Sequence, residues 1–112
     1  MAQPPSPRRL YRIVRANPPT LDDFLSDDAR GRGSPSEPPE IRRLRSGRSV
    51  FQTEAQARRR ARAFPVLGRY IAVLEITADS PVQIERTLGP GHHTAWGAPE
   101  LVLAYVVAVV PV

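Results

Sequence analysis

The residues best equipped for chemistry lie close together near the end of the chain, in Gly91-His92-His93-Thr94-Ala95-Trp96-Gly97. Imidazole, hydroxyl and indole groups can together hydrogen-bond and stack on a heteroaromatic ring such as adenine or nicotinamide. The plainer alternative is that Trp96 plugs the end of a sheet and one histidine caps a backbone carbonyl. Glycines and Pro90 bracket the stretch, so it reads as a shaped loop. A metal site would need both histidines plus carboxylates. Adjacent residues on an extended segment point to opposite faces, so no metal is expected here.

Other reactive groups are sparse. The chain has no cysteine, which excludes disulfides, thiolate ligands and a thiol nucleophile. It has no nucleophile-elbow, Walker or dinucleotide glycine pattern. Two glutamates stand in informative places: Glu85, within Gln83-Ile84-Glu85, and Glu100, before an apolar run. Arg12 falls on the same strand face as Leu10 and Val14. It is either an edge residue reaching outward along its stem or a group aimed at an anionic ligand.

All 16 basic side chains are arginine, and the net charge is +5. Residues 1–69 hold fifteen arginines against seven acids, and residues 70–112 hold one against four. Such asymmetry suits an anionic partner, or complementarity between the two halves plus a solvated helix face. Arg42, Arg43, Arg45, Arg48, Arg58, Arg59, Arg60 and Arg62 would present phosphate contacts to a nucleic acid, with steep salt dependence. Few aromatics are interleaved, so base readout looks poor. An acidic protein partner would fit the same arginines.

The segment that must position these groups runs from Ser49 to Ile76. Ser49-Val50-Phe51 is strand-friendly. Thr53 and Gln56 form a capping box for a helix over about 54–64, with Ala57, Ala61 and Phe64 on one stripe. Pro65 ends the helix, Gly68 permits a turn, and Arg69 to Ile76 reads as a largely buried strand. Before this unit come a disordered tail over 1–8 and a first strand over Leu10–Arg15. A helix from Leu21 capped by Thr20, a Gly/Pro-rich loop over 30–40 and a short helix over Pro39–Arg45 follow. After it come a strand over Val82–Thr87, the histidine loop, and a central strand over Leu101–Val110. One domain over 9–112 is expected. The fold class is α+β, with a small mixed or antiparallel sheet and two or three short helices. No stretch is long and apolar enough to span a bilayer, and no signal peptide is visible, so a cytoplasmic chain without a membrane partner is expected.

This layout resembles an ADP-ribosyltransferase domain. The resemblance rests on Arg12 in the first strand, Ser49-Val50-Phe51-Gln52-Thr53 leading directly into a helix, and Gln83-Ile84-Glu85 on a later strand. It loosely spans residues 10–110. It implies NAD as cofactor, with Arg12 on the pyrophosphate, Phe51 or Trp96 stacked on the nicotinamide, and Ser49 and His93 among the cofactor-binding residues. It implies Glu85 as the catalytic glutamate, with Glu100 as its competitor, and a macromolecular acceptor. A toxin-type effector is one role consistent with it. The competing reading is a non-catalytic basic module binding nucleic acid or an acidic protein through Arg58, Arg59, Arg60 and Arg62.

Overall fold

The computed structural model describes residues 7–31, 34, 36–89 and 91–112. Six strands form one antiparallel sheet: β1 Arg8–Val14, β2 Arg48–Phe51, β3 Tyr70–Ile76, β4 Gln83–Arg86, β5 His92–Trp96 and β6 Val106–Pro111. Their spatial order is β4-β5-β2-β1-β3-β6. Three helices accompany them: α1 Pro39–Arg45, α2 Glu54–Ala63 and α3 Pro99–Ala104. The α+β class read from the sequence is what the chain adopts.

Strand alternation assigns side chains to two cores, one on each face of the sheet. On one face Leu10, Val14, Val50, Ala72, Leu74 and Ala95 pack under Phe24 and Val102. Phe24 is fully buried. Removing such a ring from water contributes roughly 1.5–3 kcal/mol. On the other face Ile13 and Ile71 meet Ala57 and Ala61 of α2. Two alanines suffice because a small-residue face brings the helix axis close to the sheet. The capping box sets where that helix begins. Thr53 Oγ1 accepts from the Gln56 N–H at 3.2 Å, and Gln56 Oε1 accepts from the Thr53 N–H at 3.1 Å.

Several expectations need correction. The apolar run Leu101–Val110 is not one central strand. Pro99 and Glu100 start α3, where proline lacks only an N–H that would be unpaired and the acid meets the positive helix end. Only the remainder forms β6, an edge strand paired to β3. A short apolar run does not reveal its own period, so helix and strand were not separable there. His92–Trp96 is not a loop but the inner strand β5. Gly91 (φ +76°) and Gly97 (φ +149°) turn the chain at its two ends. The helix expected at Leu21 is a single 3-10 turn, Leu21–Phe24, ending where Leu25 becomes extended. The expected tail overlaps the described residues only at Pro7 and Arg8, and Arg8 already belongs to β1. The rest of that tail, and part of the 30–40 loop, lie outside the described residues.

Candidate functional site

The sheet opens at its centre. β1 registers with β3 over seven residue pairs from Arg8↔Ile76 to Val14↔Tyr70, but with β2 only at Tyr11↔Phe51. Beyond that point the two strands part. The 3-10 turn Leu21–Phe24 holds the chain just beyond β1. Asp23 Oδ1 takes the Arg15 N–H at 2.7 Å, and its Oδ2 takes the Thr20 N–H at 3.0 Å. The backbone after β1 is therefore bonded to a side chain rather than to β2. A cleft of about 570 Å³ fills the opening. Arg12 and Ile13 of β1, Arg15 just beyond it, and Arg48, Ser49 and Phe51 of β2 line it. His92 and Thr94 come from β5, Ile41, Leu44 and Arg45 from α1, and Arg60 from α2.

Arg12 bridges the parted strands. Its stem leaves the sheet on the Phe24 face, where the guanidinium carbon lies 5.8 Å from the ring centroid. Nε donates to the Asp23 carbonyl at 2.8 Å, and Nη1 donates to the Ser49 carbonyl at 2.7 Å. Arg48 is bound in the same manner, with Nε on the Phe24 carbonyl at 2.6 Å, Nη1 on that of Ala95 at 3.2 Å and Nη2 on that of Gly97 at 2.8 Å. Neither guanidinium has a carboxylate salt bridge among the described residues. Burial, then the proximity of Arg48 and Arg30, lowers the Arg12 pKa to about 10, so it stays charged at neutral pH. Burial also lowers that of Arg48.

The cleft is thus cationic. Six arginines line it, and Asp27 is the carboxylate among the lining residues. Arg45 is shared between Asp27 at 3.5 Å and Glu37 at 2.9 Å. Arg60 stacks over Phe64 at 4.3 Å. Unbalanced positive charge in a recess of low-dielectric walls favours an anionic ligand.

On the α2 face, β2, β5 and β4 present a row of polar side chains. Cross-strand pairing sets Ser49 beside Thr94, Thr94 beside Glu85, and Phe51 beside His92. His92 is held from three sides. Nδ1 lies 3.1 Å from the Thr87 carbonyl oxygen and 3.1 Å from Thr87 Oγ1, and Nε2 lies 3.0 Å from Ser49 Oγ. The Phe51 ring meets the imidazole edge-on, with centroids 5.4 Å apart. Thr87 Oγ1 also bonds Thr94 Oγ1 at 2.7 Å. Burial lowers the His92 pKa below its ordinary 6.5, and Arg60 and His93 push the same way. The ring is neutral at pH 7.

Arg12, Ser49 and Phe51, singled out from the sequence, come together in this cleft. His93 and Trp96 do not line it. His93 pairs with Val50 on the opposite face and is buried, with no hydrogen-bond partner for Nδ1 among the described residues. Trp96 donates to the Arg43 carbonyl at 3.0 Å, beneath the Arg43 guanidinium at 4.1 Å. Glu85 is exposed on β4 and bound by both Arg43 terminal nitrogens at 3.0 and 2.9 Å. Glu100 is exposed in the first turn of α3. Of the α2 arginines, Arg58 pairs with Glu54 at 2.9 Å, Arg60 faces the cleft, and Arg59 and Arg62 are exposed.

Sequence reasoning singled out the stretch with His92 and Thr94, and Arg48 among the basic residues, but it did not bring them, or Arg15, together with Arg12 and Ser49. The usable signal was strand parity. Had His92–Trp96 been read as a strand, His92, Thr94 and Trp96 would share one face and His93 the other. Among the described residues no cluster of histidines and carboxylates could hold a metal ion, and no helix is long and apolar enough to cross a membrane. Comparison with protein-family models, with curated proteins and with solved structures finds no match.

Proposed function

We propose that the cleft between β1 and β2 binds a nucleotide through its phosphates, and that the chain is a small ADP-ribosyltransferase-like domain using NAD. The observation that supports this reading most is convergence. Arg12, Ser49 and Phe51, the residues the family resemblance assigns to the cofactor, line one cationic opening although β1 and β2 are far apart in sequence. In this reading Arg12, Arg15 and Arg60 meet the pyrophosphate, and Phe51 offers a ring for stacking.

Glu85 would serve as the glutamate that hydrogen-bonds the ribose and stabilises the oxocarbenium-like state as nicotinamide leaves. It shares a sheet face with Ser49, with Thr94 between them. To do so it must exchange its Arg43 partner for the ligand. A macromolecular acceptor would approach from the open side of the cleft. We place this work in the cytoplasm, where a fold without cysteine needs no oxidising setting.

The test is a backbone amide NMR titration with NAD, repeated with a short DNA duplex. The proposal expects saturable shifts at Arg12, Ser49–Thr53 and His92, followed by nicotinamide release in an enzymatic assay. Salt-sensitive shifts along α2 with DNA, and none with NAD, would replace it with the non-catalytic basic module. Arg59 and Arg62, exposed on α2, carry that second reading.

A further inference from the structure

The contacts of His92 assign its proton. Nδ1 lies 3.1 Å from the Thr87 carbonyl oxygen, which can only accept, so the assignment puts the hydrogen on Nδ1 and lets the Thr87 hydroxyl, also 3.1 Å away, donate to Thr94 Oγ1 at 2.7 Å. Nε2 then has a free lone pair, and the group it meets is the Ser49 hydroxyl at 3.0 Å. Ser49 therefore donates to a ring whose tautomer and orientation are set from behind by Thr87 and from the side by Phe51. A hydroxyl, a base within hydrogen-bond reach and a third group orienting the base are the parts of an activated nucleophile. Ser49 is exposed to the cleft, so a reacting group can reach its Oγ.

We propose that Ser49 and His92 form a nucleophile–base pair acting on a phosphoric ester or anhydride drawn into the arginine-lined cleft. Ser49 Oγ bonds to phosphorus and the P–O bond to the leaving group breaks. The hydroxyl proton passes to His92 Nε2 and from there to the departing oxygen. Water then attacks the phosphoserine phosphorus and gives a proton to Nε2. Ser49 departs and takes that proton back, releasing the phosphate. Arg60, which lines the cleft and acts on His92 from the α2 side, stands to offset charge on the phosphoryl oxygens, while Arg12 holds the Ser49 carbonyl from the Phe24 side. Guanidinium donors suit that geometry.

The titratable groups that act on His92 are Arg60 from α2 and His93 beside it on β5; Arg12 lines the cleft from β1 on the Phe24 side. Ser49 and Phe51 on β2 and Thr87 after β4 carry no charge. Burial first, and then Arg60 and His93, favour the base form of the imidazole.

The experiment is phosphonylation of the whole chain by a fluorophosphonate, with the modified serine located by mass spectrometry. Here Ser49 displaces fluoride, and no other reactant is needed. The expected result is labelling at Ser49 well ahead of Ser46, which is also exposed. The rate should climb with pH below 6.5 and level off before neutrality, and inorganic pyrophosphate should protect. Ser49→Ala should remove the label. His92→Gln should slow it by about 100-fold or more, with thermal melts confirming the fold. Labelling at Ser49 no faster than at Ser46, or a rate flat with pH in the unmodified chain, overturns the nucleophile–base pair whatever the variants do. Labelling that pyrophosphate does not slow overturns the phosphate substrate. NAD binding itself is read separately, by the amide titration, so failure of the nucleophile–base pair and failure of the NAD reading are told apart.

Discussion

Arg12 Nη1 donates to the carbonyl oxygen of Ser49 at 2.7 Å, across the gap where β1 and β2 part. One side chain thereby closes a broken backbone ladder and lines the wall of the cleft that the break creates. Stability and ligand binding share this group. Arg12→Ala leaves two carbonyls without a charged donor and should lower the unfolding free energy by roughly 2–3 kcal/mol, measured by urea denaturation. Arg12→Lys keeps the charge but not the fork of donors. It should lose less stability, while both variants lose at least about ten-fold in NAD affinity by calorimetry if the proposed function holds.

Glu85 and Arg43 form a two-bond ion pair at the open edge of the sheet. Both side chains are about half exposed, at 54% and 50%, so water competes with the pair. Glu85→Gln and Arg43→Ala should leave the melting midpoint almost unchanged. Under the transferase-like reading their effects on nicotinamide release diverge. Glu85→Gln stops it, whereas Arg43→Ala spares or raises it by freeing the carboxylate. Equal losses in both variants would count against a catalytic Glu85.

Acid should destabilise the fold well before carboxylates titrate. Burial lowers the pKa of both His92 and His93 from 6.5, so the unfolded chain binds more protons than the folded one as pH falls from about 7. Stability is therefore full above 6.5 and is lost as pH drops through the lowered folded values. Glu37, held below 4.5 chiefly by its hydrogen bond from Arg45, adds a second, smaller loss at lower pH. Thermal midpoints between pH 7.5 and 5 should decline, and a His92→Gln, His93→Asn double variant should flatten that limb. A flat profile for the unmodified chain would contradict the burial of the two rings.

Gly68 lies where the chain turns into β3, at φ +153°. A Cβ there would stand 2.2 Å from the Val14 carbonyl oxygen, which is backbone and cannot swing aside. Gly68→Ala should cost about 2 kcal/mol or more, visible as a lower denaturation midpoint. At Gly91 the clash would be with the Gln56 side-chain amide, which is the movable end of a side chain. Gly91→Ala should therefore cost less and act by disturbing the cap of α2.

Local chemistry was enough for the parts of the fold that contain their own instructions. The Thr53–Gln56 box, Pro65 and the alanine stripe specify α2, and Tyr70–Ile76 declares a buried strand. Arg12, Ser49 and Phe51 stood out because an arginine on an apolar strand face and a strand leading straight into a capped helix are visible in the residue order. The rest depended on partners distant along the chain. Leu101–Val110 divides into helix and edge strand only because β3 has an open edge for β6 and Phe24 a surface for α3. Strand parity separates His92 from His93, but only the register that β2 supplies decides which of the two meets Ser49, 43 residues away. The cleft is more remote still from the sequence. It forms where β1 and β2 share a single register pair and the Asp23 carboxylate holds the Arg15 N–H just past the strand end, an arrangement of distant segments that only the folded chain decides.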